Sequence, residues 1–431
     1  MLRYTHSAFL SILIHVTAFL GMSCGRQPFL TVPRYRSGLG PAVANQRVPE
    51  PYLIGAWYYP GWSSANDSRQ PCESAKIFGH RDPWGGVRQY ASGEAPWGWG
   101  TGRDYYRSRK PLIGFYDLMD QRVMGTHILQ AASHGLSYFA FYWDWDKDKD
   151  QETGLSLPIH KFVSSSHRDK MLFLISLNAA IGQRELTMDM WVDRIVPFLI
   201  NEYITDSSYL RLNGRPVILD FNIGFKDKVL HRQGIDSLRQ LVRQKVGEDP
   251  LILSLASDPR PGRGLIAAKN QLDVDGFFCF HLPPSRPAEP YQEVLGRYAQ
   301  LDSVTSRFSG VYVPCASTGQ DARPWYKIGW GRRRMEEIHY NSGITPEIFE
   351  EHLRRQKQYI DDHPRNTLKM LTIYGWNEWG EGGIIEPSEV YEYRYLDIVQ
   401  RVFGLTPVAQ IPPAPSLSTG PDDKGNRAVS H

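Results

Sequence analysis

Short apolar runs of five to seven residues recur at 52–58, 137–143, 171–177, 216–221, 251–255, 274–280 and 310–315, and an eighth opens at Met370. Each is the right length and composition for a buried strand. Stretches with helical character lie between them. One runs from Asp120, which can cap it, to His134, with Gly135 as its stop. A second, 187–203, is amphipathic but contains Pro197, which is expected to kink or split it. A third begins at Thr345-Pro346, a capping residue followed by proline in the first turn, and runs to Asp362. The last covers 388–403. Apolar runs alternating with helices predict a parallel α/β architecture, either a (β/α)8 barrel or an open doubly wound sheet. Neither GxGxxG after a strand nor GxxxxGK[ST] occurs, so nucleotide binding finds no support and no cofactor is expected.

Polar and aromatic residues gather just past the ends of these runs, where a barrel builds its active site. The first run ends in Tyr58-Tyr59-Pro60-Gly61-Trp62 and the second in Tyr142-Trp143-Asp144-Trp145-Asp146. Asn178 follows the third run and His281 the sixth. The eighth leads into Trp376-Asn377-Glu378-Trp379-Gly380-Glu381-Gly382, two carboxylates among tryptophans and glycines. Glycine lets the chain turn sharply at a strand end. Tryptophan offers a flat apolar face that suits the C–H face of a sugar, and two carboxylates are the minimum equipment for cutting a glycosidic bond. The alternative for the glutamates is a solvated turn; for Asp144 and Asp146 it is capping of the next loop.

The run Asn377 to Gly382, followed by Ile385-Glu386-Pro387 and Tyr395-Leu396, resembles the last barrel strand of glycoside hydrolase family 99 and its WbsX-like relatives, which belong to polysaccharide gene clusters and are often labelled glycosyltransferases. The Tyr58–Trp62 stretch and the aromatic-acidic cluster at 142–146 are similar to the corresponding strand ends of that family. The resemblance implies one (β/α)8 TIM barrel over residues 52–404, with elaborated loops at its C-terminal face. It also implies retaining, endo-acting α-mannosidase chemistry. In that mechanism Glu378 would deprotonate the sugar's own 2-hydroxyl, which attacks C1 to give a 1,2-anhydro sugar. Glu381 would protonate the leaving oxygen and later activate water. Substrate contacts would come from Tyr58, Tyr59, Trp62, Tyr142, Trp143, Asp144, Asp146, Asn178, His281, Trp376, Asn377 and Trp379. Two features depart from the family pattern: Gly380 stands where the family often has His, and the long segment 63–116 has no matching counterpart.

Composition changes this picture in three places. Eleven of the 12 tryptophans fall outside expected helices, a distribution that favours a ligand surface, although about half should be packing residues. Arg3, the apolar run from Ala8 to Met22 and Ser23-Cys24 read as an export signal. Leu20 to Cys24 also resembles a bacterial lipobox, so Cys24 is either lipidated or removed by plain cleavage, and the product is anchored, periplasmic or secreted. Residues 25–51 read as a tether and 405–431 as a Pro-rich disordered tail. The other cysteines, Cys72, Cys279 and Cys315, form no CxxC, so no metal site is expected. Cys279 and Cys315 fall on neighbouring strands; buried free thiols are expected, with a disulfide the alternative in an exported protein. A net charge of +3 over 431 residues gives no reason to expect nucleic acid. The partner is a carbohydrate, and the chain is expected to be a monomer.

Three functions remain open from sequence. The first is hydrolysis of an α-linked, mannose-type glycan. The second is glycosyl transfer, for which Asp144-Trp145-Asp146 and Asp273-Val274-Asp275 fit the loose Asp-x-Asp pattern of metal-dependent nucleotide-sugar enzymes. The third is a carbohydrate-binding barrel without catalysis.

Overall fold

The computed structural model describes residues 52–63, 83–92, 108–178, 186–221, 223–225, 227–256, 271–325 and 338–408. The export signal, Cys24, the tether, Cys72, Trp97, Trp99 and Trp330 lie outside these residues, as does the tail beyond 408. The eight runs become strands β1 Leu53–Tyr58, β2 Tyr138–Trp143, β3 Leu172–Leu177, β4 Arg215–Asp220, β5 Leu251–Leu255, β6 Gly276–Phe278, an interrupted β7 (Val311–Val313 and Cys315–Ser317) and β8 Met370–Tyr374. All the pairings between them are parallel, in the order β7-β6-β5-β4-β3-β2-β1-β8-β7. Pro314 interrupts β7 because it has no N–H to give a ladder. The half before it pairs with β6 and the half after it with β8. One bent strand therefore serves both ends of the sheet, and closure decides between the two architectures that alternation allowed. The protein is a (β/α)8 barrel.

The helices of seven residues or more are α1 Gly85–Ala91, α2 Gln121–Ala132, α3 Leu157–Val163, α4 over 188–204, α5 Lys228–Val246, α6 Tyr291–Thr305, α7 Pro346–Asp362 and α8 Arg394–Phe403, the last beginning six residues after the expected 388. Two N-caps read from sequence are present: the Asp120 carboxylate accepts from the Arg122 N–H, and the Thr345 hydroxyl from the Ile348 N–H. Pro197 does not split its helix. Helix α4 continues through it, but the turns on both sides, Trp191–Ile195 and Ile200–Ile204, widen to π-helix. A proline leaves a carbonyl one turn earlier without its usual donor, and a wider turn absorbs that mismatch without a break. Leu405, assigned to the tail, is buried, and the Val408 N–H donates to the Ala132 carbonyl.

Inward-facing side chains fill the barrel in layers. Low in the barrel the Tyr138 ring lies across Gly55, where a Cβ would come within 2.3 Å of it. Its hydroxyl bonds Thr372 Oγ1 at 2.6 Å. Trp57 lies above, 5.3 Å from Tyr142 and 5.7 Å from Phe278, centroid to centroid. The top layer is Tyr142, Phe221, Phe280 and Tyr374, from the ends of β2, β4, β6 and β8. Four side chains from alternate strands form one layer of such a barrel. Alternate residues point the other way, as Phe141 does in packing on Phe162 of α3 at 5.7 Å.

The cysteines correct one expectation. Cys279 and Cys315 are joined in a disulfide rather than left as free thiols, their Cα atoms 5.1 Å apart. The β6–β7 pairing brings them within bridging distance.

Candidate active site

The β8 strand delivers the two glutamates. Trp376 N–H donates to the Trp57 carbonyl at 2.5 Å, so the chain beyond β8 still tracks β1. It then folds into a tight turn in which the N–H groups of Glu381 and Gly382 both donate to the Glu378 carbonyl, at 3.0 and 2.7 Å. Gly382 closes that turn with φ +89°, and a Cβ there would stand 2.5 Å from Arg109 Nη2. Arg109 is itself buried and donates to the Trp379 carbonyl at 2.7 Å. The Asp321 N–H holds the Glu381 carbonyl at 2.6 Å. Both glutamates thus sit on a turn pinned from outside by the loop after β7 and by Arg109.

Their surroundings differ. Glu378 is buried, whereas Glu381 is half-buried. Glu381 Oε2 accepts from the Tyr374 hydroxyl at 2.8 Å and from Gln320 Nε2 at 3.0 Å. Burial, and then the charge of Glu381, hold Glu378 well above the usual carboxylate range. The phenols of Tyr59, Tyr142 and Tyr374 are pushed up by burial first and then by both glutamates, so the three rings surround the pair. His281 stacks on Tyr374 with centroids 4.0 Å apart and planes at 19°. Burial pushes its imidazole down to about 3, so it is neutral there at physiological pH.

Of the residues expected to contact substrate, Tyr59, Tyr142, His281, Glu378 and Glu381 converge here. The others are held by different partners, and strand alternation accounts for Tyr58 and Trp143. Tyr58 points outward, its hydroxyl 2.8 Å from His127 Nδ1. Trp143 does likewise, donating from Nε1 to Glu152. Trp62 stacks on Trp84 at 3.9 Å and donates to the Asn377 carbonyl at 2.7 Å. Trp376 packs on His127 and Phe139. Trp57, Trp62, Trp84, Trp143, Trp145, Trp191, Trp376 and Trp379 are all buried, so their indole faces form packing rather than the expected ligand surface. Asn377 spends its amide on the backbone of Tyr59 and on Tyr116. Asp146 accepts from the N–H groups of Asp148 and Lys149 and so caps a turn. Asp144 accepts from the Trp145 N–H at 2.8 Å. Asn178 is buried at the end of β3, beside the Ser176 hydroxyl.

Sequence reading missed Tyr374, Gln320, Phe221 and Phe280. Two-residue alternation could have found Tyr374, which shares a face with Thr372; nothing local marks Gln320. It also missed a buried network behind the turn. The Glu386 carboxylate lies 3.0 Å from His127 Nε2 and accepts from the Tyr116 hydroxyl at 2.9 Å and Trp379 Nε1 at 2.7 Å. Among the described residues, no cluster of three or more His, Cys, Asp or Glu is placed to hold a metal ion.

The family model described as "Glycosyltransferase WbsX" matches residues 103–399. The protein WxcX of Xanthomonas campestris pv. campestris is 23% identical over 321 residues, 68% of this chain and 43% of that protein, so the chain matches less than half of that relative's length. A solved structure titled "Glycoside hydrolase-like protein" superposes with a TM-score of 0.55 at 15% identity, covering 83% of this chain and 95% of the other, which is a likeness of fold. The endo-α-mannosidase of Bacteroides thetaiotaomicron gives a TM-score of 0.47 at 14% identity, covering 83% of this chain and 97% of that one.

Proposed function

We propose, from the premise that the chain belongs to the WbsX glycosyltransferase family, that it cleaves an α-linked, mannose-type glycan by retaining hydrolysis. The observation that carries this reading is the turn that places Glu378 and Glu381 on one aromatic floor at the C-terminal face of the barrel. Burial and the charge of Glu381 make Glu378 hold a proton more tightly than an ordinary carboxyl, and two carboxyls sharing one site are the means by which such chemistry supplies an acid and a base. The proposed roles are Glu378 as base toward the sugar's 2-hydroxyl and Glu381 as acid toward the leaving oxygen. These roles require the proton on Glu381 once substrate is bound. Tyr374 and Gln320 both donate to Oε2, which leaves Oε1 to carry it. In the second step Glu381 would draw a proton from water as the water attacks C1 and the C1–O2 bond of the anhydro ring breaks, while Glu378 returns to O2 the proton it took.

The transferase reading has less support from the aspartates. Asp275 is held by Arg215 and Arg239, each at 2.7 Å, at the start of β6, far along the strand from the site. Asp146 caps its own turn and pairs with Lys149 at 3.2 Å. Export is part of the proposal, and the Cys279–Cys315 disulfide supports it, because such bonds persist in oxidising compartments. The test is to incubate purified protein with α-mannan, with and without nucleotide sugars, and to follow new reducing ends. Release without a nucleotide sugar supports hydrolysis, product only with one supports transfer, and binding without turnover leaves a carbohydrate-binding barrel.

A further inference from the structure

The floor of the site has two chemically distinct halves. On β2 and β8 the top layer carries hydroxyls: Tyr142 and Tyr374 both feel the charges of Glu378 and Glu381. On β4 and β6 the same layer carries Phe221 and Phe280, which have no polar atom to offer. Phe280 stands at the join, 4.9 Å from Tyr374 and 5.4 Å from Phe221, ring centre to ring centre. Its plane lies at 72° to Tyr374 and 89° to Phe221, with Trp57 beneath at 5.0 Å. The eight tryptophans whose burial is described are all buried, whereas Phe221 and Phe280 keep part of their surface in solvent. An aromatic layer that is polar beside the carboxylates and apolar away from them gives the site a direction.

We infer that Phe280, backed by Phe221, is the platform on which a neutral sugar ring of the substrate stacks, one ring removed from the bond that Glu378 and Glu381 attack. The inference rests on the proposed carbohydrate function and adds the substrate's orientation and class. The chain of sugars runs from the glutamates on β8 across the barrel mouth toward β6 and β4. The stacked sugar presents a face of C–H bonds, because a phenyl ring accepts no hydroxyl as a conventional hydrogen-bond partner and gains most from apolar contact. It is uncharged, because a uronate on this floor would face two acidic side chains with no compensation from phenylalanine.

The test compares Phe280→Leu, which keeps apolar volume but removes the flat face, with Phe280→Tyr, which keeps the face. Binding of an α-linked mannotetraose and of a tetragalacturonate is measured by calorimetry, with thermal unfolding as the check on folding. The expected result is that wild type and Phe280→Tyr bind the mannotetraose alike, and that Phe280→Leu binds it roughly tenfold more weakly with an unchanged melting temperature. The tetragalacturonate is expected not to bind. Equal affinity of Phe280→Leu and wild type would overturn the platform and leave the proposed hydrolase standing. Tighter binding of the uronate would overturn the substrate class. Failure of wild type to bind the mannotetraose would remove the mannose-type reading and the platform with it.

Discussion

The side-chain amide of Asn377 grips the backbone of Tyr59 on both sides: Oδ1 accepts from the Tyr59 N–H at 2.7 Å, and Nδ2 donates to the Tyr59 carbonyl at 3.1 Å. One residue after β8 thus takes the place of a ladder partner for the chain just past β1. The grip fixes Tyr59 and Glu378, the next residue, relative to each other.

Asn377→Asp should be costly for that reason. The carboxylate can still accept from the Tyr59 N–H, but it faces the Tyr59 carbonyl and the Tyr116 hydroxyl without a donor. The expected loss is about 1–3 kcal/mol of stability, read by urea unfolding. Stability equal to wild type would show that the grip is not needed.

Glu378 should make the protein less stable as pH rises. Its pKa is higher folded than unfolded, so in the window from the unfolded value, about 4.3, up to the folded value the native state holds the extra proton. Stability falls through that window and then levels. Glu378→Gln removes the effect, so its melting temperature should exceed wild type at pH 8 and match it near pH 4. An equal gain at both pH values would contradict the raised pKa.

The two glutamates should separate by leaving group. Glu381→Gln cannot donate a proton, and the loss on a polysaccharide should be roughly 10²–10⁴-fold. An aryl glycoside, whose leaving group needs little protonation, should restore much of that rate. Glu378→Gln should show no such rescue, because its task is to activate the nucleophile for any leaving group. Rescue of Glu378→Gln instead would exchange the two roles, and wild-type rates in both variants would end the hydrolase proposal.

The network behind the turn should depend on Glu386 as an acceptor. Glu386→Leu leaves His127, Tyr116 and Trp379 without their buried partner, an expected cost of about 1–3 kcal/mol for each buried group left unpaired. Glu386→Gln keeps one oxygen for Tyr116 and Trp379 and should cost less. Melting temperatures of the two variants decide it, and equal values would show that the acceptor is dispensable.

The mature protein should lack its first residues and, where lipoprotein processing operates, carry lipid on Cys24. Mass spectrometry of the N-terminus checks this. An intact Met1 on protein recovered from the cytoplasm would contradict it.

The strands, and the helices that start at Asp120 and Thr345, were legible because they depend on local pattern, whereas α5 Lys228–Val246 and α6 Tyr291–Thr305 were not read from sequence. Buried strands need short apolar runs, and Asp120 and Thr345 cap helices through bonds to residues two or three positions away. That Glu378 and Glu381 lie close together was legible because their turn is built within five residues, from Glu378 to Gly382. Closure was not legible in the alternation itself and was expected only from the motif resemblance, since it depends on Pro314 letting one strand change partners between β6 and β8. Nor was the fate of the aromatics, because composition does not say which side of a strand a ring takes. Tyr58 and Tyr59 are neighbours in sequence, yet one meets His127 outside the barrel and the other meets the glutamates. That division is made by the barrel, whose curvature puts alternate residues in different environments and so turns tryptophans into packing and phenylalanines into floor.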